Sequence, residues 1–321
     1  MRLEHVFTEY RAYRIPGLIL TKKGTLLAYY ECRKETTSDW SSIDLKVMRS
    51  EDDGDTWTTV CIIDGGSDTL NNPVMIADGD TVHFLYCKNY REILYRCSDD
   101  DGKSFSAAER KEEIGQAMTR PYTVIALGPG HGISHKGKLI IPMWFANNPE
   151  DLTAHRPSWI STVYSEDSGN TWKVGEIIGE ELFIHPSECA LAVMGDGRVL
   201  NSIRNENPEF LRGLAVSDNG YEGWREVRLS DALPDPICQG SMASLGNAVY
   251  HINCVSQEKK ERTGLTLKIS RDGFCSFESI LIDEVGGYSD VAVSEDWIYI
   301  LYERNVEEDG LYFCRLPRCE I

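Results

Sequence analysis

The sequence predicts an all-β fold, a six-bladed propeller of four-stranded antiparallel blades, on three observations. The octapeptide Ser50-Glu51-Asp52-Asp53-Gly54-Asp55-Thr56-Trp57 returns as Ser98–Phe105 and Ser165–Trp172, with weaker copies at Ser217–Trp224 and Ser270–Phe277. The copies recur at roughly the 40–50-residue period of propeller blades. Short β-branched and aromatic runs separated by turn residues fill the intervals, and no stretch sustains a helical apolar period.

Within each octapeptide the pattern Ser-x-Asp-x-Gly-x-(Thr/Ser)-aromatic describes a tight turn. The Asp carboxylate accepts backbone N–H groups, Gly supplies a positive φ, and the aromatic pins the turn against its own blade. The strands read as Thr25–Arg33, Ile43–Ser50, Thr81–Lys88, Lys138–Phe145, Trp159–Ser165, Arg198–Arg204, Ala248–Val255, Gly264–Ser270, Trp297–Glu303 and Leu311–Leu316. Each Asp-rich turn is expected to follow a strand, which places it in the hairpin between the outer strands of a blade. Five turns plus two turn-free ends give six blades, closed by pairing of the N-terminal strand with the strand at Leu311–Leu316, which removes exposed edges. Residues 1–321 read as one domain, since no Pro/Gly/Ser-rich linker interrupts the repeats.

The chain carries 33 Lys and Arg against 51 Asp and Glu, a net charge of −18. That balance argues against nucleic acid or an anionic membrane as the partner, and an anionic ligand would need a local cationic pocket. No apolar run is long enough to span a bilayer, and Met1–Tyr10 has no leader-like apolar segment, so the expected location is cytoplasmic, or secreted if a leader has been removed. Ten scattered cysteines without a Cys-x-x-Cys spacing read as reduced core residues. His131 and His135 fall in a Gly-rich loop with no third ligand, so neither a metal nor any other cofactor is expected. No phosphate-binding loop, dinucleotide fingerprint or nucleophile elbow is present.

The chemistry lies outside the repeats. Tyr13-Arg14-Ile15-Pro16 sets an arginine at the mouth of the first strand. Glu31-Cys32-Arg33 and Ser38-Asp39-Trp40 follow the next strand. Glu188 precedes Arg204 by 16 residues; Glu261-Arg262-Thr263, Gly286-Gly287-Tyr288-Ser289-Asp290 and Leu301-Tyr302-Glu303 come later. Singly, each has an ordinary structural explanation. As a set, together with the repeats and Gly128-Pro129-Gly130-His131-Gly132-Ile133, they resemble the sialidases, retaining glycosidases that release terminal sialic acids, over essentially the whole chain.

The resemblance implies a role for each. Arg14, Arg204 and Arg262 match the arginine triad that binds the substrate carboxylate through charge-assisted hydrogen bonds. Arg33 matches the auxiliary arginine, and Glu303 the acid that orients Arg14. Tyr288 matches the nucleophile, a neutral phenol suited to attack a carbon that already bears a carboxylate. Glu188 matches its base and Asp39 the general acid/base. Asp44 could in principle be the acid, but it is embedded in a strand, whereas Asp39 lies in a loop. Asn72 and Gln239 are nominated for sugar hydroxyls and the N-acyl group. The implied activity is exo-α-sialidase on sialylated glycans or oligosaccharides. A trans-sialidase, a hydrolase of a related nonulosonic acid and a non-catalytic sialoglycan-binding propeller are the alternatives. The oligomeric state is left open.

Overall fold

The computed structural model describes residues 2–5, 10–304 and 310–318. Six antiparallel sheets stand in a ring. The first blade runs from the innermost strand Ala12–Leu20 through Leu26–Arg33 and Ile43–Ser50 to the outermost, Thr58–Ile63. Blades two to six begin on inner strands Leu70–Asp78, Val124–Leu127, Cys189–Val193, Ser241–Leu245 and Ser289–Val293. The sixth is completed by the chain's first strand, Arg2–His5, laid antiparallel on Gly310–Pro317. The expected ring closure is therefore present. Two sheets depart from the four-strand pattern. Gly130–His131 adds a short parallel strand inside the second blade, and Ile133–His135 adds a short antiparallel strand to the third. Among the described residues no helix is long and apolar enough to cross a membrane.

The middle strands are apolar on both faces because both faces are buried. In Leu26–Tyr30 the side chains alternate between seams. Leu26, Ala28 and Tyr30 pack with Tyr299, Leu301 and Phe313 of the sixth blade. Leu27 and Tyr29 pack with Met75 and Phe84 of the second. The outermost strand Thr58–Ile63 is half exposed.

The Asp-rich turns follow the third strand of each of the first five blades. In the first, Asp52 Oδ1 accepts the Thr56 N–H at 2.9 Å and Oδ2 accepts the Thr56 hydroxyl at 2.6 Å, while Ser50 Oγ takes the Gly54 N–H at 2.9 Å. These bonds hold the Asp52 carboxyl down at about 2. One expectation needs correcting: the aromatic does not simply pin the turn to its own blade. Trp57 meets Phe313 and Trp172 meets Tyr95, both on the preceding blade; Phe105, against Phe84, stays on its own. Asp101 likewise reaches back to the hydroxyls of Thr21 and Thr25 (2.6 Å each) and to Arg49 Nη2 (2.7 Å). The reason is a pair of successive left-handed residues, Asp53–Gly54, Asp101–Gly102 and Ser168–Gly169, which turn the loop out of its own sheet. A Cβ on Gly54 would sit 2.2 Å from the Phe313 ring.

Antiparallel order then fixes the two ends of the ring. First strands start, second strands end and third strands start at one end; the Asp-rich turns, at the ends of third strands, occupy the other. Arg14, Glu188 and Tyr288 stand at or just before starts of first strands. Arg33, Arg204 and Glu303 stand at or just after ends of second strands, and Arg262 just before a third strand. All seven fall on the face opposite the turns.

Candidate active site

On that face a cavity of about 600 Å3 is lined by Arg14, Asp39, Glu188, Arg204, Arg262 and Tyr288, among others. A larger one, about 900 Å3, lies on the other face between the fourth and fifth blades, where Arg198 is paired with Asp196 and Glu226 and Arg271 with Glu278. Chemistry, not volume, distinguishes the first. It gathers guanidiniums, carboxylates and a phenol in one place.

Local backbone strain aims the first of these groups. A bulge between Arg14 and Gly17 interrupts the pairing of the inner strand. Ile15 there has φ 57°, a left-handed conformation that is costly for a β-branched residue. The cost is offset by Glu303, whose Oε1 accepts both the Ile15 N–H at 2.9 Å and Arg14 Nε at 2.7 Å. Gly17 closes the bulge because a Cβ would lie 2.0 Å from the Tyr29 ring. Glu303 Oε2 accepts the Tyr288 N–H at 3.3 Å and faces Arg262 Nη1 at 3.9 Å. Burial works to raise this carboxyl, but Arg14 and Arg262 prevail and hold it below the ordinary range.

Tyr288 stands at the centre. Its hydroxyl donates to Glu188 Oε1 at 2.6 Å and accepts from Arg204 Nη1 at 2.8 Å. The same Arg204 nitrogen donates to Glu188 Oε2. The Arg14 and Arg262 guanidinium carbons lie 5.2 and 5.0 Å from the centre of the Tyr288 ring. Burial pushes the phenol well above its usual value, against the pull of Arg204. Deprotonation therefore needs a base in contact, and Glu188 is in contact. Arg204 Nε is buried and has no hydrogen-bond partner. A buried, unpartnered guanidinium N–H in a three-arginine cluster is chemically able to donate to a carboxylate.

Asp39 reaches the cavity from the loop after Leu26–Arg33, its carboxylate 2.8 Å from Arg33 Nη2. Burial would raise it, but the guanidiniums of Arg33 and Arg14 hold it below the ordinary range. Asp44 is spent on structure, accepting from the Tyr10 hydroxyl at 3.0 Å and the Gly65 N–H at 2.8 Å, with Lys34 2.7 Å away. Asn72, also at a left-handed bulge before a proline, lines the cavity. Gln239, the other residue nominated for the sugar, does not join it. Its Oε1 accepts the Ser289 N–H at 2.9 Å and the residue is 1% exposed behind the site, because the strand carrying Tyr288 needs that acceptor. Among the described residues no group of three His, Cys, Asp or Glu could hold a metal ion, and His131 is occupied with Asp290, 2.8 Å away.

One wall was missed in the sequence. Trp40, Tyr90, Trp144 and His155 come together from three blades, with Trp40 and Tyr90 ring centres 4.8 Å apart and His155 5.1 Å from both Tyr90 and Trp144. Trp144 Nε1 and His155 Nε2 are buried without partners. Only Trp40, adjacent to Asp39, carried a positional signal; the other three are remote in sequence.

Fold and site together define a six-bladed propeller that gathers three arginines around a buried tyrosine bonded to a glutamate at one end. The chain belongs to the sialidase family with these Asp-box repeats: the model of the BNR repeat-like domain matches residues 24–300. It is similar to a sialidase of Bacteroides fragilis, 26% identical over 92% of this chain and 60% of that protein. It is also similar to an exo-alpha-sialidase of Arthroderma benhamiae, 25% identical over 94% of this chain and 80% of that one. The solved Hadza microbial sialidase Hz136 superimposes with a TM-score of 0.83 at 23% identity, covering 98% of this chain and 67% of that one. The chain thus spans 60% of the length of the Bacteroides fragilis relative.

Proposed function

We propose that the protein is an exo-α-sialidase that cleaves terminal α-ketosidic sialic acids by double displacement with retention. The observation that carries this reading is the 2.6 Å bond from the Tyr288 hydroxyl to Glu188 inside a cluster of three arginines. A sialoside bears a carboxylate on its anomeric carbon. Arg14, Arg204 and Arg262 bind that carboxylate and bring the carbon over Tyr288. An anionic nucleophile would be repelled there; a phenol that transfers its proton as it attacks is not.

In the first step the Tyr288 oxygen bonds to the anomeric carbon, its proton passes to Glu188 Oε1, and the leaving glycosidic oxygen takes a proton from Asp39. In the second, Asp39 as carboxylate takes a proton from water, the water oxygen bonds to the same carbon as the bond from that carbon to the Tyr288 oxygen breaks, and Glu188 returns its proton to that oxygen. The substrate carboxylate shares the charge of Arg14 that otherwise holds Asp39 ionised, so binding itself favours protonated Asp39. The wall of Trp40, Tyr90, Trp144 and His155 receives the substituents on the far side of the sugar, with its two unpartnered nitrogens as their polar contacts.

Stereochemistry tests the mechanism. Proton NMR of a fresh digest of a sialyl-oligosaccharide is expected to show α-N-acetylneuraminic acid first, the β form appearing only by mutarotation. The β anomer as first product would exclude a covalent intermediate. Tyr288→Phe should lower kcat by about three orders of magnitude or more while the arginine pocket still binds the free sugar.

A further inference from the structure

Glu31 was noticed in the sequence only as the neighbour of Arg33, yet it is one of the most deeply placed charges beside the cavity, 1% exposed. Its Oε2 accepts Arg33 Nε at 3.1 Å and Nη2 at 2.8 Å, and its Oε1 accepts the Asn72 N–H at 3.0 Å. Arg33 Nη2 also lies 2.8 Å from Asp39 Oδ1, and Arg33 Nη1 donates to the Thr37 carbonyl at 2.5 Å. One guanidinium nitrogen is therefore shared by two carboxylates, one buried and one facing the cavity.

We propose that Glu31 is a positioning residue for the general acid: by taking up part of the charge of Arg33 it lets Asp39 carry the proton that the leaving group needs. Asp39 faces Arg33 and Arg14 on its own blade, Tyr90 on the second and His155 on the third. Burial and the neighbouring arginines keep His155 neutral toward low pH. With Arg33 and Arg14 both pulling on it, Asp39 without Glu31 would be held ionised more firmly still and would be a poorer acid once substrate is bound. Besides Asp39 itself, Glu31 is the carboxylate that acts on Arg33, with one oxygen, Oε2, given to that arginine. Besides Arg33, the groups facing Glu31 are Asp39, Tyr90 and the Cys87 thiol, none of them a cation. The same carboxylate holds the Asn72 N–H at the left-handed bulge, so the second blade's contribution to the pocket is fixed by the charge that tunes the first.

This inference rests on Asp39 being the acid/base, and the experiment separates the two. Glu31→Gln keeps the shape and an acceptor for the Asn72 N–H but removes the charge. Protonated Asp39 sets the alkaline limb of kcat/KM. Losing a nearby negative charge favours ionised Asp39, so the limb moves to lower pH, by about one unit. Above the limb, kcat/KM on sialyllactose, whose sugar leaving group needs the proton, falls about tenfold. On an aryl sialoside, whose phenolate leaves without help, the loss is smaller. An unmoved limb with equal losses on both substrates would mean that Glu31 is only structural and would overturn the proposal. Glu31→Asp keeps the charge and is expected to keep the limb; a limb displaced downward in that variant as well would also overturn it, and this arm stands even if Glu31→Gln does not fold. Asp39→Asn is the control on the underlying reading. It must widen the gap between sialyllactose and the aryl sialoside, and if it does not, Asp39 is not the acid, whatever Glu31 does.

Discussion

Glu303 shows how one buried carboxylate can assemble a site from distant parts of the chain. It accepts from Arg14 and Ile15 with one oxygen and faces Tyr288 N and Arg262 with the other. An amide in its place keeps one acceptor and turns an NH2 toward a guanidinium or a backbone N–H. Glu303→Gln is therefore expected to cost about 2–3 kcal/mol of transition-state binding, roughly a hundredfold in kcat/KM, expressed mainly in KM; steady-state kinetics on an aryl sialoside would measure it. A change below about threefold would show that Arg14 is held by something else. At this scale the sequence was informative where a residue type is demanded by charge. Arginines, acids and the Gly-Gly-Tyr-Ser run stand out against a chain of ordinary strands. Glu31, Trp144 and His155 do not, because Glu31 reads as an ordinary neighbour of Arg33 and the contacts of Trp144 and His155 with Tyr90 are made across two blades.

Strands and turns show the same division. The middle strands were legible because both faces are buried and read as continuous apolar runs, as in Leu26–Tyr30. Innermost strands such as Leu70–Asp78 were obscured by bulges at Ile15-Pro16 and Asn72-Pro73, which break the alternation where the site needs it broken. Outermost strands such as Thr58–Ile63 and Glu278–Val285 are half exposed and mix polar with apolar residues, so they are marked less clearly than the middle strands. The Asp-rich turns carry their own lesson in the fifth copy, where Phe274 occupies the position of Gly54 with φ 67° and its ring lies 5.6 Å from His251. Two effects oppose each other in Phe274→Gly. Relief of the left-handed strain returns about 1–2 kcal/mol, while removal of a ring that is 4% exposed costs about 3–5 kcal/mol. The variant is expected to lose about 2–3 kcal/mol in a denaturant titration. A more stable variant would mean that the ring is tolerated there, not used.

Over the whole molecule, the turns act as staples across the seams, and this links stability to pH. The carboxyls of Asp52 and Asp100 are both held at about 2 by hydrogen bonds from their own turns. An unfolded Asp titrates near 3.9. A folded value below the unfolded one means stability that is present above about pH 4 and lost as pH falls toward 2. Thermal melts are expected to be nearly flat above that window and to fall steeply within it. Asp52→Asn with Asp100→Asn should melt lower at neutral pH but with a shallower acid slope. An unchanged slope would assign the acid transition to other carboxylates. The ring itself was readable from repeat spacing, and its closure by Arg2–His5 on Gly310–Pro317 follows from the need to leave no open edge. The convergence of Arg14, Asp39, Glu188, Arg204, Arg262 and Tyr288 on one face follows from antiparallel order once the turns are assigned to the other.

The proposed mechanism requires Tyr288 to become covalently bonded to the sugar. Intact-protein and peptide mass spectrometry after incubation with 2,3-difluorosialosyl fluoride addresses it directly, because the fluorine beside the anomeric carbon slows hydrolysis of the intermediate. One sugar is expected on the wild-type protein, on the peptide that contains Tyr288, and none on Tyr288→Phe. A sugar on Glu188, or on any residue of the Tyr288→Phe variant, would contradict the account.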